Sequence, residues 1–114
     1  MNGFPRKDFS VRTEVRGDST VVAPVGELDL ATAPALDQAL EDAFGSHSAR
    51  VVLDLRELEF IDSSGLRSLL IARRRADAAG AHFALVAGDK ALERTLQIAG
   101  VHEVFEWTPA EGLA

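Results

Sequence analysis

The stretch from Val51 to Leu70, VVLDLRELEFIDSSGLRSLL, limits the fold of this chain more than any other. It begins with Val51-Val52-Leu53-Asp54-Leu55, an apolar run rich in branched side chains that reads as a buried strand. It ends on Leu66, Leu69 and Leu70, which share one face of a helix. Between them lies Asp62-Ser63-Ser64-Gly65, so a strand hands over to a helix through small and polar residues, where backbone N–H groups lack helical partners.

Which residue caps that helix decides what the serines are for. With Asp62 as the N-cap, Ile61 and Leu66 occupy the two positions of a hydrophobic staple; with Ser63 as the cap, Asp62 and Arg67 do. The staple favours Asp62. Ser63 then stands at the first helical position with a hydroxyl the backbone does not need, beside free N–H groups that suit a phosphate. Gly65 in the first turn costs about 0.5–1 kcal/mol relative to alanine, which suggests a close approach to the backbone, a flat partner surface being one candidate. Plain capping chemistry explains the same residues, and it is the reading that composition alone favours. Asp54 reads first as a strand-end carboxylate tying down its own loop, and Asp29 first as a turn former and second as a contact residue. Arg73-Arg74-Arg75 reads as a solvated face and Trp107 as packing.

The rest of the chain supplies alternating elements. Residues 1–8 are a polar lead-in containing Gly3 and Pro5. Phe9 to Val15 and Thr20 to Val25 flank the turn cluster Arg16-Gly17-Asp18-Ser19 and read as a hairpin, with Pro24 requiring a free N–H side or a local irregularity. Gly26-Glu27-Leu28-Asp29 leaves that strand, a helix starts at Thr32 with Pro34, and Gly45 ends it. The helix from Ser63 runs to Ala79 with Gly80 as its cap, His82 to Ala87 is a strand, and Asp89 to Ile98 is a helix stopped by Gly100. Val101 to Trp107 adds a last short strand, and Thr108 to Glu111 a final turn. The predicted fold class is α/β: a single domain over 9–114 with a mixed, mainly parallel sheet, an initial hairpin and helices packed against it.

Composition narrows the function. In 114 residues there are 12 basic and 18 acidic side chains, a net charge of −6 spread along the chain, which disfavours nucleic acid and anionic membranes and favours a protein partner. Without cysteine, and with His47, His82 and His102 at no metal-ligand spacing, neither a metal nor a cofactor is expected. The N-terminus lacks an apolar signal segment and no apolar run approaches the roughly 20 residues that span a bilayer, so a cytoplasmic protein is expected. A serine hydrolase is disfavoured because the motif is Asp-Ser-Ser-Gly rather than G-x-S-x-G, with no orienting partner evident for His82 or His102. A phosphoacceptor Asp54 is disfavoured because no acidic pair follows the first strand.

GELD at Gly26 to Asp29, the Thr32-Ala33 helix start, and VVLDLRELEFIDSSGL at Val51 to Leu66 closely resemble the anti-sigma factor antagonists, the stand-alone STAS domains of bacteria. The similarity runs in element order from Phe9 to Trp107, and its most specific part is DSSGL after an apolar strand at this distance from GELD. The resemblance implies a non-enzymatic STAS-like domain that binds an anti-sigma factor and thereby frees a sigma factor. It further implies that the anti-sigma factor is a serine kinase acting on Ser63, that a phosphatase reverses the mark, and that Asp29, Asp62, Ser64, Gly65, Leu66 and Arg67 contact the partner. Other STAS-like domains are accessory subunits of lipid ABC transporters, cytoplasmic parts of anion transporters, or stress-signalling scaffolds, which is the alternative.

Overall fold

Valine-rich strands pair side by side and leave their helices to one face. The computed structural model describes residues 8–110, so most of the expected lead-in, and Glu111 of the expected final turn, lie outside the described residues. The elements are β1 (Ser10–Arg16), β2 (Ser19–Leu28), α1 (Ala33–Gly45), β3 (Arg50–Asp54), β4 (Leu58–Ile61), α2 (Ser63–Ala79), β5 (His82–Val86), α3 (Lys90–Ile98), a 3-10 turn (His102–Val104) and β6 (Glu106–Trp107). In the sheet the order is β1-β2-β3-β5-β6, with β4 also paired to β2. Only the β1–β2 hairpin is antiparallel; the other pairings are parallel.

Alternation along the strands divides the core. Val22, Val51, Leu53 and Leu85 join Leu36 and Leu40 of α1, Leu69 of α2 and Leu96 of α3 in the main core. Val21, Val52 and Val86 form a smaller cluster.

Three expectations need correction. First, β2 does not stop at Val25 but continues through Gly26-Glu27-Leu28. Its first half pairs with β3 and its last residues with β4, so 23–25 have no partner on that edge, and Pro24, which has no N–H to donate, falls in this gap. No strand is expected at β4, because Leu58-Glu59-Phe60-Ile61 lacks strict alternation and is ordered by the far end of β2. Second, α1 does reach Gly45, but the left-handed residue that turns the chain is His47, at φ 62°, and the Ser46 hydroxyl donates to the Ala43 carbonyl at 2.7 Å. Third, the last strand is only Glu106–Trp107. Before it the 3-10 turn forms, held by Trp107 Nε1 donating to the His102 carbonyl at 2.8 Å and by stacking of those two rings at 4.6 Å.

Gly80 and Gly100 close α2 and α3 as expected. At each helix end the glycine N–H and the N–H after it reach back to Asp77 and Ala76, and to Gln97 and Leu96, with φ of 70° and 75°.

Candidate functional site

Parallel pairing of β2 and β4 sets two loops side by side. Leu28 lies opposite Ile61, and the Asp62 N–H donates to the Leu28 carbonyl at 3.1 Å, so the 29–32 turn and the head of α2 leave the sheet together.

The head of α2 is capped by Asp62, whose Oδ1 accepts from Ser64 N–H at 2.9 Å and Gly65 N–H at 3.1 Å. Ser63 is exposed at the first helical position, and its hydroxyl makes no hydrogen bond to the described residues. The spare hydroxyl is therefore present, but the N–H groups expected beside it are largely taken by the cap. Ser64 and Leu66 are half-buried and Arg67 is exposed.

Gly65 is buried, and its surroundings explain it from within. A Cβ there would come within 2.6 Å of Ile61 Cγ1 and 2.8 Å of Leu28 Cγ and Cδ2. The close approach inferred from the glycine is made by the chain's own core, not by a partner surface.

Asp29 behaves as its turn-forming reading requires. Its Oδ1 accepts from Ala31 N–H at 3.0 Å and Thr32 N–H at 3.1 Å, while the Thr32 hydroxyl donates to the Glu27 carbonyl at 2.8 Å. Between them Leu30 is thrown outward, 77% exposed, and Phe60 on β4 is 48% exposed. Neither was singled out from the sequence. The available signal was an apolar residue inside an Asx turn, where neither helix nor strand periodicity gives it an inward face.

Ser63 also borders a groove of about 330 Å³ between α2 and the segment after α3. Leu66, Leu70 and Ile71 line it from one side and Ala99 and Val101 from the other, with the exposed Arg67 and Arg74 adding the only charges among the described residues. A larger cavity, about 530 Å³, opens beside Val21 and Ala23, far from this chemistry. Its charges neutralise one another: Arg12 pairs with Glu57, Arg16 with Glu14 at 3.0 Å, and Arg56 with Asp54 at 2.8 Å.

Asp54 is loop-tying, as read. Both carboxylate oxygens accept from the Arg56 guanidinium, at 2.9 and 2.8 Å, and Oδ1 also from the Arg56 backbone N–H at 3.1 Å. Burial pushes its carboxyl up, and the hydrogen bonds and charge of Arg56, with a contribution from Arg12, more than offset this and hold it below the ordinary carboxylate value. Among the described residues no three His, Cys, Asp or Glu side chains are placed to hold a metal, and no helix is long and apolar enough to cross a membrane.

Known proteins resemble this chain in sequence and in fold. Residues 10–114 match the model of the STAS domain family. The chain is 31% identical over 80 residues to the anti-sigma-F factor antagonist RsfB of Mycobacterium tuberculosis, in an alignment covering 70% of this chain and 65% of that protein. The match thus spans just under two thirds of the relative's length. The crystal structure of an anti-sigma factor antagonist from Mycobacterium paratuberculosis superposes with a TM-score of 0.81 at 29% identity, covering 90% of this chain and 87% of that one. SpoIIAA in its unphosphorylated form superposes at 0.73, with 20% identity over 93% of this chain and 92% of its own. The phosphorylated form of this Bacillus protein gives 0.67, with 20% identity over 93% and 96%. At such identity SpoIIAA bears on the fold alone. With its sheet order, its capped DSSGL turn and a family match over nearly the whole chain, this protein belongs to the STAS domain family.

Proposed function

We propose that this domain, residues 9–114 behind a short lead-in, is an anti-sigma factor antagonist. Unmodified, it binds an anti-sigma factor that is also a serine kinase, and a sigma factor is released; phosphorylation of Ser63 breaks the complex, and a phosphatase restores it. The names of the similar mycobacterial proteins support the role. The observation that carries the switch is the exposed, unpartnered Ser63 hydroxyl at the head of a capped helix. The docking face comprises Asp29, Asp62, Ser64, Leu66 and Arg67, with Leu30 added as an exposed apolar anchor; Gly65 contributes by letting α2 seat closely on the sheet.

This chain supplies an acceptor and no catalysis. The kinase brings ATP, magnesium and a base: Ser63 Oγ forms a bond to the γ-phosphorus, the bond to ADP breaks, and the hydroxyl proton passes to the base. Among the described residues no side chain hydrogen-bonds to the Ser63 hydroxyl, in keeping with a group that a partner's base must activate. The product adds about −1.5 to −2 charges at an exposed position, so the domain keeps its fold. A packed interface does not tolerate it, because the dianion must lose its water there. A few kcal/mol of that penalty is a hundredfold or more in affinity. The reading places the protein in the bacterial cytoplasm, where sigma factors act.

Affinities of Ser63→Ala and Ser63→Asp for the cognate anti-sigma factor test this. The alanine variant is expected to bind like wild type and to ignore ATP, and the aspartate variant to bind at least a hundredfold more weakly. Equal affinities for wild type and both variants defeat the switch. Recovery of a transporter ATPase in place of a kinase-like anti-sigma factor would assign the domain to an accessory subunit instead.

A further inference from the structure

For a dianion on Ser63 the turn itself offers no counter-charge. Asp62 already occupies the N–H groups of Ser64 and Gly65, and its carboxylate, with that of Asp29 on the adjacent loop, opposes a second anion. The remaining source is a side chain, and one stands a single turn along α2. Arg67 is four residues beyond Ser63, so the two lie on one face with Cβ atoms about 5–6 Å apart. Both border the same groove, and Arg67 is exposed with no ion pair among the described residues. The opposite wall contributes apolar Ala99 and Val101, so among the described residues that line the groove no carboxylate competes for the guanidinium.

We propose that Arg67 is the counter-ion of a phosphate on Ser63 and that, in the unmodified protein, the same guanidinium receives an acidic group of the docking partner. This rests on the reading of Ser63 as the acceptor and adds how the mark acts. Anion before cation at this spacing is the favourable order along a helix, and the planar guanidinium offers two parallel N–H donors to phosphate oxygens. In a chain of net charge −6, the stripe Arg67, Leu70, Arg74 presents a cationic, apolar strip. It fits a partner segment that is apolar with flanking carboxylates. Phosphorylation then acts twice: it adds negative charge beside Asp62, and it withdraws the cation on which that segment depends.

The test uses full-length protein with phosphoserine incorporated directly at position 63, so no kinase is required. The phosphate's second ionisation, ordinarily near pH 6, is followed by phosphorus NMR. Its midpoint in wild type is expected a few tenths of a pH unit below that in Arg67→Gln. Arg67→Lys should restore most of the difference. Arg74→Gln, eleven residues and about 16 Å of helix rise beyond Ser63, should leave the midpoint in place. The wild-type lowering should fade in 1 M salt, where screening reaches about 3 Å. Identical midpoints in wild type and Arg67→Gln, or an equal rise in Arg74→Gln, overturn the pairing. Because the titration reads the pair directly, failure of any kinase to modify Ser63 would remove the switch without altering this result.

Discussion

Alanine in place of Gly65 offers the most direct check on how the head of α2 is held. The added Cβ would lie 2.6 Å from Ile61 Cγ1 and 2.8 Å from two atoms of Leu28. Unstrained carbon contacts sit near 3.5–4.0 Å, so each neighbour would have to retreat by roughly 0.7–1 Å. Neither has room to do so. Leu28 is 0% and Ile61 4% exposed, and both belong to strands paired with each other at that point. Overpacking of this kind costs about 1–3 kcal/mol, against which alanine recovers up to about 1 kcal/mol of helix propensity. For contacts this short the cost lies in the upper part of that range, so the expected net loss is about 1–2 kcal/mol, or roughly 4–16 °C in melting temperature for a domain near 100 residues. Urea denaturation and thermal melting measure it, with Gly45→Ala as control. Gly45 is also helical, yet a Cβ there meets nothing within 4 Å, so that change should be neutral or stabilise by up to about 1 kcal/mol. If Gly65→Ala were as stable as wild type, the inward packing argument would be wrong, and the glycine would need an explanation outside the domain.

Other variants probe the neighbouring devices. Asp62→Ala removes an acceptor that holds two N–H groups and should cost about 0.5–2 kcal/mol with an unchanged denaturant slope; no loss would mean the cap is dispensable. Arg56→Gln removes the partner that keeps Asp54 below its usual carboxylate range. A depressed carboxylate stabilises the fold above its unfolded value, near 3.9, and that contribution is lost as pH falls through the lower folded value. The stability gap between wild type and Arg56→Gln should therefore be full at neutral pH and close on acidification below about pH 4; a gap constant with pH would refute the pairing. Leu30→Ser should leave folding stability within about 0.5 kcal/mol, since the side chain is 77% exposed, yet weaken the anti-sigma factor complex about tenfold or more. Unchanged affinity would remove Leu30 from the docking face.

Local chemistry made much of this protein legible in advance. Val51 to Leu55 read as a buried strand and β3 covers it up to Asp54, Gly80 and Gly100 read as helix ends and adopt the left-handed conformation there, and Asp62 was distinguishable from Ser63 as the cap because Ile61 and Leu66 stood at staple positions. Each of those inferences uses residues within a few positions of one another, where backbone sterics and capping hydrogen bonds act. What the tertiary structure alone decided depends on residues far apart in sequence. β4 exists because β2 runs on past Pro24 and offers Gly26 to Leu28 as a second edge; its own short pattern does not declare a strand. Gly65 is required by Leu28, thirty-seven positions earlier, as much as by Ile61. Leu30 is exposed because the Asx turn at Asp29 spends its polar groups inward and leaves the leucine no core to face. Periodicity reports which face of an element is apolar, but only packing determines which apolar side chain is left in water and which small residue yields space to a neighbour.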